Sequence, residues 1–316
     1  MIDSIDLIIY DIEWIDFRHL RNLGIDIKSK TERRSKMFWF SHKNIEFKFF
    51  PIKKYLLIMT NVKKILNKEE ITLTDKNIYK EKVYQIIKEI LDSSNKIKIY
   101  LSRIDYDVNI RFENINIKNI YMTLLQKCKT RFKYMKQEQK YKTSMYLKNK
   151  YGQYRINFYD KGEESKDIKY KNVLRLEIQV NSPKLKAERK RKEIPNILDV
   201  YWSKEKMLEI YFDMLKEYLH EGKYYTRKEI TKKIEMSIYK STYQKKLKKF
   251  VLYIERYGIE ETIIRGIYSK PTIKKYIEML TAININPIPI PVESEYIELE
   301  SLYSIARNIA EDKYFK

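Results

Sequence analysis

A single cysteine, three histidines, six glycines and seven prolines are all that 316 residues contain of the types that usually staple, ligate or hinge a protein. With Cys128 alone there is no internal disulfide to form, and His19, His42 and His220 are too scattered for zinc-ligand spacing. No Gly/Ser linker divides the chain, so any domains pack closely. There is no Gly-rich phosphate loop of the Walker type, and no internal repeat. Neither an apolar run long enough for a bilayer nor a basic helix with a clean hydrophobic face is found, which argues against a membrane partner. The opening MIDSIDLIIYDIEW carries acids where a secretory signal carries lysines; it reads as a first strand, and the expected location is the cytoplasm.

What is abundant is positive charge. Lys and Arg number 65 against 43 acids, a formal net charge of +22. Lysine and isoleucine are what AT-rich coding supplies, but such coding also supplies Asp and Glu, and this chain has not used them to balance. A polyanion is the expected partner, and with membrane set aside that means nucleic acid. Hydrophobic residues make up 43%, enough to bury a sizeable core, so global disorder is excluded.

The first half alternates strand-like runs with helices: IDLIIYDIEW, IEFKFFPIKKYLLIMT, a helix over about 80–91, then KIKIYLSRIDYDVNIRF. An amphipathic stretch follows over about 117–135, with Ile117, Ile120, Tyr121, Leu124, Leu125 and Cys128 at helical spacing. Two more strands are expected in YGQYRINFYDKG and NVLRLEIQV. From Ser203, a candidate N-cap with Glu205 in the first turn, the pattern becomes helical, with turns expected at Gly258, Gly266 and Pro271. The expected fold is α+β: an antiparallel sheet with helices on one face over residues 1–200, then a mostly helical C-terminal domain over 201–316.

Side chains alternate faces along a strand, so each strand divides by parity. In YLSRIDYDVNIRF, Tyr100, Ile104, Tyr106, Val108, Ile110 and Phe112 oppose Arg103, Asp105, Asp107, Asn109 and Arg111. In YRINFYDK, Tyr154, Ile156 and Phe158 oppose Arg155, Asn157, Tyr159 and Lys161. In NVLRLEIQV, Leu174, Leu176, Ile178 and Val180 oppose Arg175, Glu177 and Gln179. If the three strands are neighbours, their polar faces pool two Asp, a Glu, a Tyr and several cations.

That inventory is what phosphodiester cleavage by a tyrosine needs. Carboxylates suit Mg²⁺ or Mn²⁺, and the metal polarises the scissile phosphate. The phenol, with an ordinary pKa of about 10, needs help to attack. Arg155, Lys161 and Arg175 are placed to hold phosphates and to lower the phenol pKa. The same parity also describes an ordinary solvated sheet face laced with cross-strand ion pairs.

At these residues the sequence resembles the gene II replication endonucleases of filamentous phages and their plasmid and prophage relatives. MID before a short apolar strand, LLIMTNVKKIL, SRID, NFYDK, VLRLEIQ and KKFVLYIERYGIE follow in the family's order, with SRID and LRLE the most specific. The resemblance implies a rolling-circle initiator in a bacterial host cell. Such an enzyme nicks one strand of double-stranded origin DNA, becomes joined to its 5′ end, and religates the displaced single strand. It implies Tyr159 as nucleophile, Asp105 and Glu177 as metal ligands, and Arg103 and Arg175 flanking them; a host helicase and a single-strand-binding protein are implied partners. The chain departs from the wider nicking superfamily in lacking a His-hydrophobe-His pair, so the metal site must be built from carboxylates, with Asp107 as third ligand. Tyr151, Tyr154 and Tyr170 are alternative nucleophiles among the 28 tyrosines.

The run KLKAERKRKEI, with Lys184, Lys186, Arg189, Lys190, Arg191 and Lys192, is a candidate DNA clamp or a solvated face. Arg131, Lys133, Lys136 and Lys140, interleaved with Phe132, Tyr134 and Tyr141, offer either a single-strand track or a helix surface. TRKEITKKIEM and SKPTIKKYIEML are candidates for an origin-reading helix-turn-helix. Two further classes compete with a Mg²⁺-dependent nickase: a non-catalytic sequence-specific DNA-binding regulator, indifferent to metal, and a tyrosine recombinase, whose Arg/His-rich site has no counterpart here.

Overall fold

The computed structural model describes residues 2–32, 35–92, 97–128, 144–148, 152–192 and 197–314. Among the described residues nine strands form one sheet: β1 (Ile2–Tyr10), β2 (Lys28–Glu32), β3 (Ser35–His42), β4 (Ile45–Phe50), β5 (Tyr55–Asn61), β6 (Tyr100–Arg111), β7 (Ser144–Lys148), β8 (Tyr154–Asp160) and β9 (Val173–Asn181). Their order is β2-β3-β4-β5-β1-β6-β9-β8-β7, and every pairing is antiparallel. The helices are α1 (Phe17–Asn22), α2 (Val62–Leu66), α3 (Lys76–Leu91), α4 (Ile115–Lys127), α5 (Lys161–Ser165), α6 (Ser182–Lys192), α7 (Ile197–Tyr201), α8 (Lys204–Leu219), α9 (Arg227–Glu235), α10 (Ser241–Ile264), α11 (Lys270–Ala282) and α12 (Leu302–Tyr314); β10 (Tyr224–Tyr225) and β11 (Glu298–Leu299) make a separate ribbon. The chain is α+β, a large antiparallel sheet followed by a helical region.

Alternation of apolar side chains builds the left half. Ile45, Phe47 and Phe49 of β4 and Leu56 and Ile58 of β5 turn to the core. Phe40 stacks on Phe47, its partner across β3 and β4, at 5.1 Å. The two-residue turn between these strands places both Lys43 and Asn44 at positive φ, the twist a tight hairpin requires. β2 and its hairpin with β3 were not expected from sequence, because KSKTE is an edge strand without an apolar alternation.

The helices pack against the apolar parity of β6, β8 and β9. The Tyr106 hydroxyl donates to the Tyr201 carbonyl at 2.7 Å, and Tyr211 of α8 donates to the Leu176 carbonyl at 3.0 Å. Ser203 caps α8 as expected, accepting from the Lys206 amide. The buried core runs without interruption from Ile2 to Ala310, so helices on both sides of residue 200 share it.

Two expected turns are placed differently. Pro271 lies in the first turn of α11, where its missing N–H costs nothing, behind the N-cap Ser269. Gly258 kinks α10 from within at φ 74°; a Cβ there would come 3.3 Å from the Lys127 carbonyl oxygen, so α4 and α10 meet backbone to backbone. Among the described residues no helix is long and apolar enough to cross a membrane.

Candidate functional site

Strand register decides what the polar parities do. β6, β9 and β8 are consecutive neighbours. Asp107, Glu177 and Asn157 form one cross-strand row, Asn109, Arg175 and Tyr159 the next, and Asp105, Gln179 and Arg155 a third. The acids at 105, 107 and 177 and the phenol at 159 therefore lie on one face. That face is not solvated: Asp105, Asp107, Asn157, Tyr159, Arg175, Glu177 and Gln179 are all buried.

Buried polar groups must be paired, and here the pairing is dense. The Tyr159 hydroxyl donates to Glu177 Oε2 at 3.1 Å, and Asn157 Nδ2 donates to Oε1 of the same carboxylate at 2.6 Å. Arg175 reaches the phenol oxygen, donates from Nε to Asn109 at 2.8 Å, and pairs with Asp107 at 3.3 Å. Arg103 clasps Asp105 through Nε at 2.9 Å and a second guanidinium nitrogen, with Asp6 at 3.5 Å. Lys63 of α2 joins Asp107 at 3.1 Å and Asp3 at 3.5 Å.

Burial sets the protonation chemistry. It pushes Asp105 up to about 6 against the pull of Arg103. Burial, reinforced by the charge of Asp105, pushes Glu177 up to about 7. Asp107 goes the other way: burial raises it, but the surrounding positive charge, Lys63 foremost and Arg175 among the rest, outweighs that and holds it below the ordinary carboxylate range. The phenol of Tyr159 is pushed well above its ordinary value by burial and by the Glu177 charge, with Arg175 opposing. The expectation that nearby cations lower the phenol pKa is thus corrected. Desolvation in a closed face and an adjacent carboxylate win over Arg175.

Three further expectations change. Lys161 is not on the strand, which ends at Asp160; it opens α5, pairs with Glu164 at 2.5 Å, and lies over the Tyr159 ring at 5.9 Å. Tyr100 does not share the parity of Ile104, because a bulge pairs Asp6 with Arg103 but Leu7 with Leu101, putting Leu101 in the core instead. The ligand set Asp105, Asp107 and Glu177 does not converge: among the described residues no three His, Cys, Asp or Glu side chains come together as a metal cluster. Asp107 is committed to Lys63 and Arg175 as a counterion. Asp105 and Glu177 remain a pair whose charges oppose each other. Two carboxylates completed by phosphate oxygens and water are an ordinary Mg²⁺ donor set; an ion at this pair would share the Asp105 oxygens with Arg103 and the Glu177 oxygens with Tyr159 and Asn157.

Of the alternative nucleophiles, Tyr154 pairs with Val180 on the apolar side and Tyr170 sits in a 3-10 turn under Lys161 and Lys169. Tyr151 lies outside the described residues, as do Arg131, Phe132, Lys133, Tyr134, Lys136, Lys140 and Tyr141 and the side chain of Lys192. The Nε of Arg155 is buried without a partner among the described residues. On α6, Lys184, Lys186 and Arg189 lie over the rings of Tyr154, Tyr10 and Tyr100 at 5.7, 5.7 and 4.4 Å, while Lys190 and Arg191 are exposed.

Sequence reasoning missed Asp3, Asp6 and Lys63. Asp3 and Asp6 differ in strand parity, and a bulge between Ile2 and Ser4 reconciles them. Lys63 had a local signal: Asn61 caps a short helix at the end of β5, accepting from the Lys64 amide at 3.0 Å.

The position of Tyr159 is fixed by its successors. Asp160 caps α5, accepting from the Gly162 and Glu163 amides, and forms a buried ion pair with Lys118 of α4. A Cβ on Gly162 would come 2.8 Å from the Tyr170 carbonyl oxygen, so only glycine lets α5 close against the following turn.

No protein-family model matches the chain, and no curated protein does. Among solved structures it is similar to a rolling-circle replication initiator protein from Geobacillus stearothermophilus, at 13% identity and a TM-score of 0.38, over 69% of this chain and 84% of that one.

Proposed function

We propose that this protein initiates rolling-circle DNA replication, as a strand-specific nicking and closing endonuclease whose nucleophile is Tyr159. One observation carries the reading: a buried phenol hydrogen-bonded to Glu177, on the same sheet face as Asp105 and in contact with Arg175. The motifs SRID, NFYDK and LRLE, which resemble those of gene II replication endonucleases, support it, as does the +22 charge.

In the proposed step the Tyr159 oxygen attacks the scissile phosphorus while the phenolic proton passes to Glu177 Oε2, to which it already points. A P–Oη bond forms and the P–O3′ bond breaks, leaving a 5′-phosphotyrosine and a 3′-oxygen that takes a proton from water. Reversal with a new 3′-hydroxyl religates the displaced strand, so no nucleotide triphosphate is consumed. Arg175 neutralises charge on the phosphate from beside the phenol, and Arg155, Lys161 and Arg103 border the same face. Mg²⁺ or Mn²⁺ would be held chiefly by Asp105, with Glu177 Oε1 as a second donor while Oε2 takes the proton, and would polarise a non-bridging phosphate oxygen. Lys184, Lys186, Arg189, Lys190 and Arg191 of α6 extend the cationic border for the DNA backbone.

Incubation with supercoiled DNA carrying its origin and with Mg²⁺ is expected to give open circles covalently attached to protein. Persistence of the adduct in Tyr159→Phe rejects the nucleophile. Tight, salt-sensitive binding without any scission replaces the reading with a non-catalytic DNA-binding regulator.

A further inference from the structure

α10 carries a second cationic surface that the catalytic face does not use. At 100° per residue, Lys246, Lys249, Tyr253, Arg256 and Tyr257 fall within about 100° of its circumference, with Tyr243 flanking them. The adjoining side, Leu247, Val251 and Ile254 with Phe250 at its border, is buried, which leaves the three cations facing outward and the tyrosines half-covered. Lys246, Lys249 and Arg256 are exposed and form no ion pair among the described residues. Their acidic neighbours are engaged elsewhere: Glu255 with Arg227 at 2.8 Å and Glu261 with Arg265 at 3.2 Å.

Aromatic rings alternate with these charges. Lys246 and Lys275 lie over Tyr243 at 5.6 and 4.8 Å, Lys249 over Tyr253 at 5.9 Å, and Arg256 and Arg265 over Tyr257 at 5.4 and 4.7 Å. Tyr253 and Tyr257 are close to parallel, 20° apart with centroids at 6.2 Å. A solvated lysine face has no use for two half-exposed tyrosines on successive turns with a third near its start. Cations alternating with flat rings over roughly 20 Å of helix are what a single strand requires, charge for its phosphates and rings for its unstacked bases.

We propose that the outer face of α10 binds single-stranded DNA, bases stacking on Tyr253 and Tyr257 and phosphates pairing with Lys246, Lys249 and Arg256. The identity of that strand as the one displaced after nicking rests on the function proposed above. The binding itself does not.

The test uses full-length protein carrying Tyr159→Phe, so that nothing is cut, and fluorescence anisotropy with labelled oligo(dT) and a duplex of equal length. Tyr253→Ala with Tyr257→Ala is expected to weaken oligo(dT) binding by about 10-fold or more while changing duplex binding by less than about 2-fold. Tyr253→Trp with Tyr257→Trp should retain the oligo(dT) affinity, which separates stacking from a folding defect. Lys246→Gln, Lys249→Gln and Arg256→Gln together should flatten the salt dependence by about two charges. Unchanged oligo(dT) affinity in the alanine pair, or equal loss on both DNAs, overturns the proposal. A protein that fails to nick but shows the expected pattern retains it.

Discussion

Tyr159 and Glu177 are joined by a hydrogen bond of 3.1 Å between neighbouring strands, and the charge of Glu177 adds to burial in raising the phenol's cost of ionising. A phenol in this setting does not shed its proton unaided, so the proposed step sends that proton to the carboxylate. Glu177→Gln keeps the shape and removes the basicity. Single-turnover adduct formation is expected to slow by roughly 100-fold or more, with DNA affinity unchanged; a loss under about 3-fold assigns the proton to another group.

The same burial gives a pH signature. Glu177 titrates near 4.5 when exposed and at about 7 in the fold. Its protonated form is thus favoured by folding, and the stabilisation is complete below about 4.5 and lost as pH rises through about 7. The shift corresponds to something on the order of 3 kcal/mol. Asp105, raised to about 6, acts in the same direction. In EDTA, urea midpoints should fall between pH 5 and pH 8, and Glu177→Gln should flatten the decline. A wild-type midpoint that climbs over this range contradicts the assignment.

Divalent metal should offset that loss. Mg²⁺ or Mn²⁺ is expected to raise the melting temperature at pH 8 more than at pH 5, because protons compete for Asp105 and Glu177. Asp105→Asn with Glu177→Gln should abolish the shift, and EDTA should abolish nicking. A metal-induced shift of full size in the double variant would falsify the ligand pair.

Lys118 and Asp160 are both buried, and neither has water to fall back on. Lys118→Met leaves Asp160 uncompensated and should cost about 3–5 kcal/mol. Adding Asp160→Asn, which removes the charge but still caps α5, should recover most of it. Denaturant unfolding of the single and double variants measures the difference; an additive double variant counts against the pair.

Gly162→Ala tests the seat of Tyr159, the proposed nucleophile. The added methyl meets the backbone at Tyr170 and Lys171, which cannot step aside as a flexible side chain can. Adduct yield is expected to fall at least about 10-fold at a temperature where circular dichroism still reports native secondary structure. Full yield means that α5 does not hold Tyr159.

Much of this was legible in the residues themselves. Alternation in β6 from Arg103 to Arg111, in β8 and in β9 put the acids, the phenol and Arg175 on one face. Parity cannot see a bulge, so Leu101 and Tyr100 exchanged sides, and it cannot see a strand end, so Lys161 was placed one residue too far. Lys63 and Asp3 escaped because their partners lie far away in sequence, at Asp107 and Arg175. The upward shift of the Tyr159 phenol escaped because inventory counts charges, whereas desolvation depends on what covers them.

β1, the earliest strand of the chain, ends up in the middle of the sheet between β5 and β6, and its acid at position 3 meets Lys63 and Arg175. During synthesis that acid can meet Lys63 early, but Arg175 joins it only when more than half the chain has left the ribosome. The polar face therefore assembles late: Tyr159, Arg175 and Glu177 arrive with β8 and β9, the last two strands of the large sheet to be made, and a chain cut off before them holds Asp105 without the phenol.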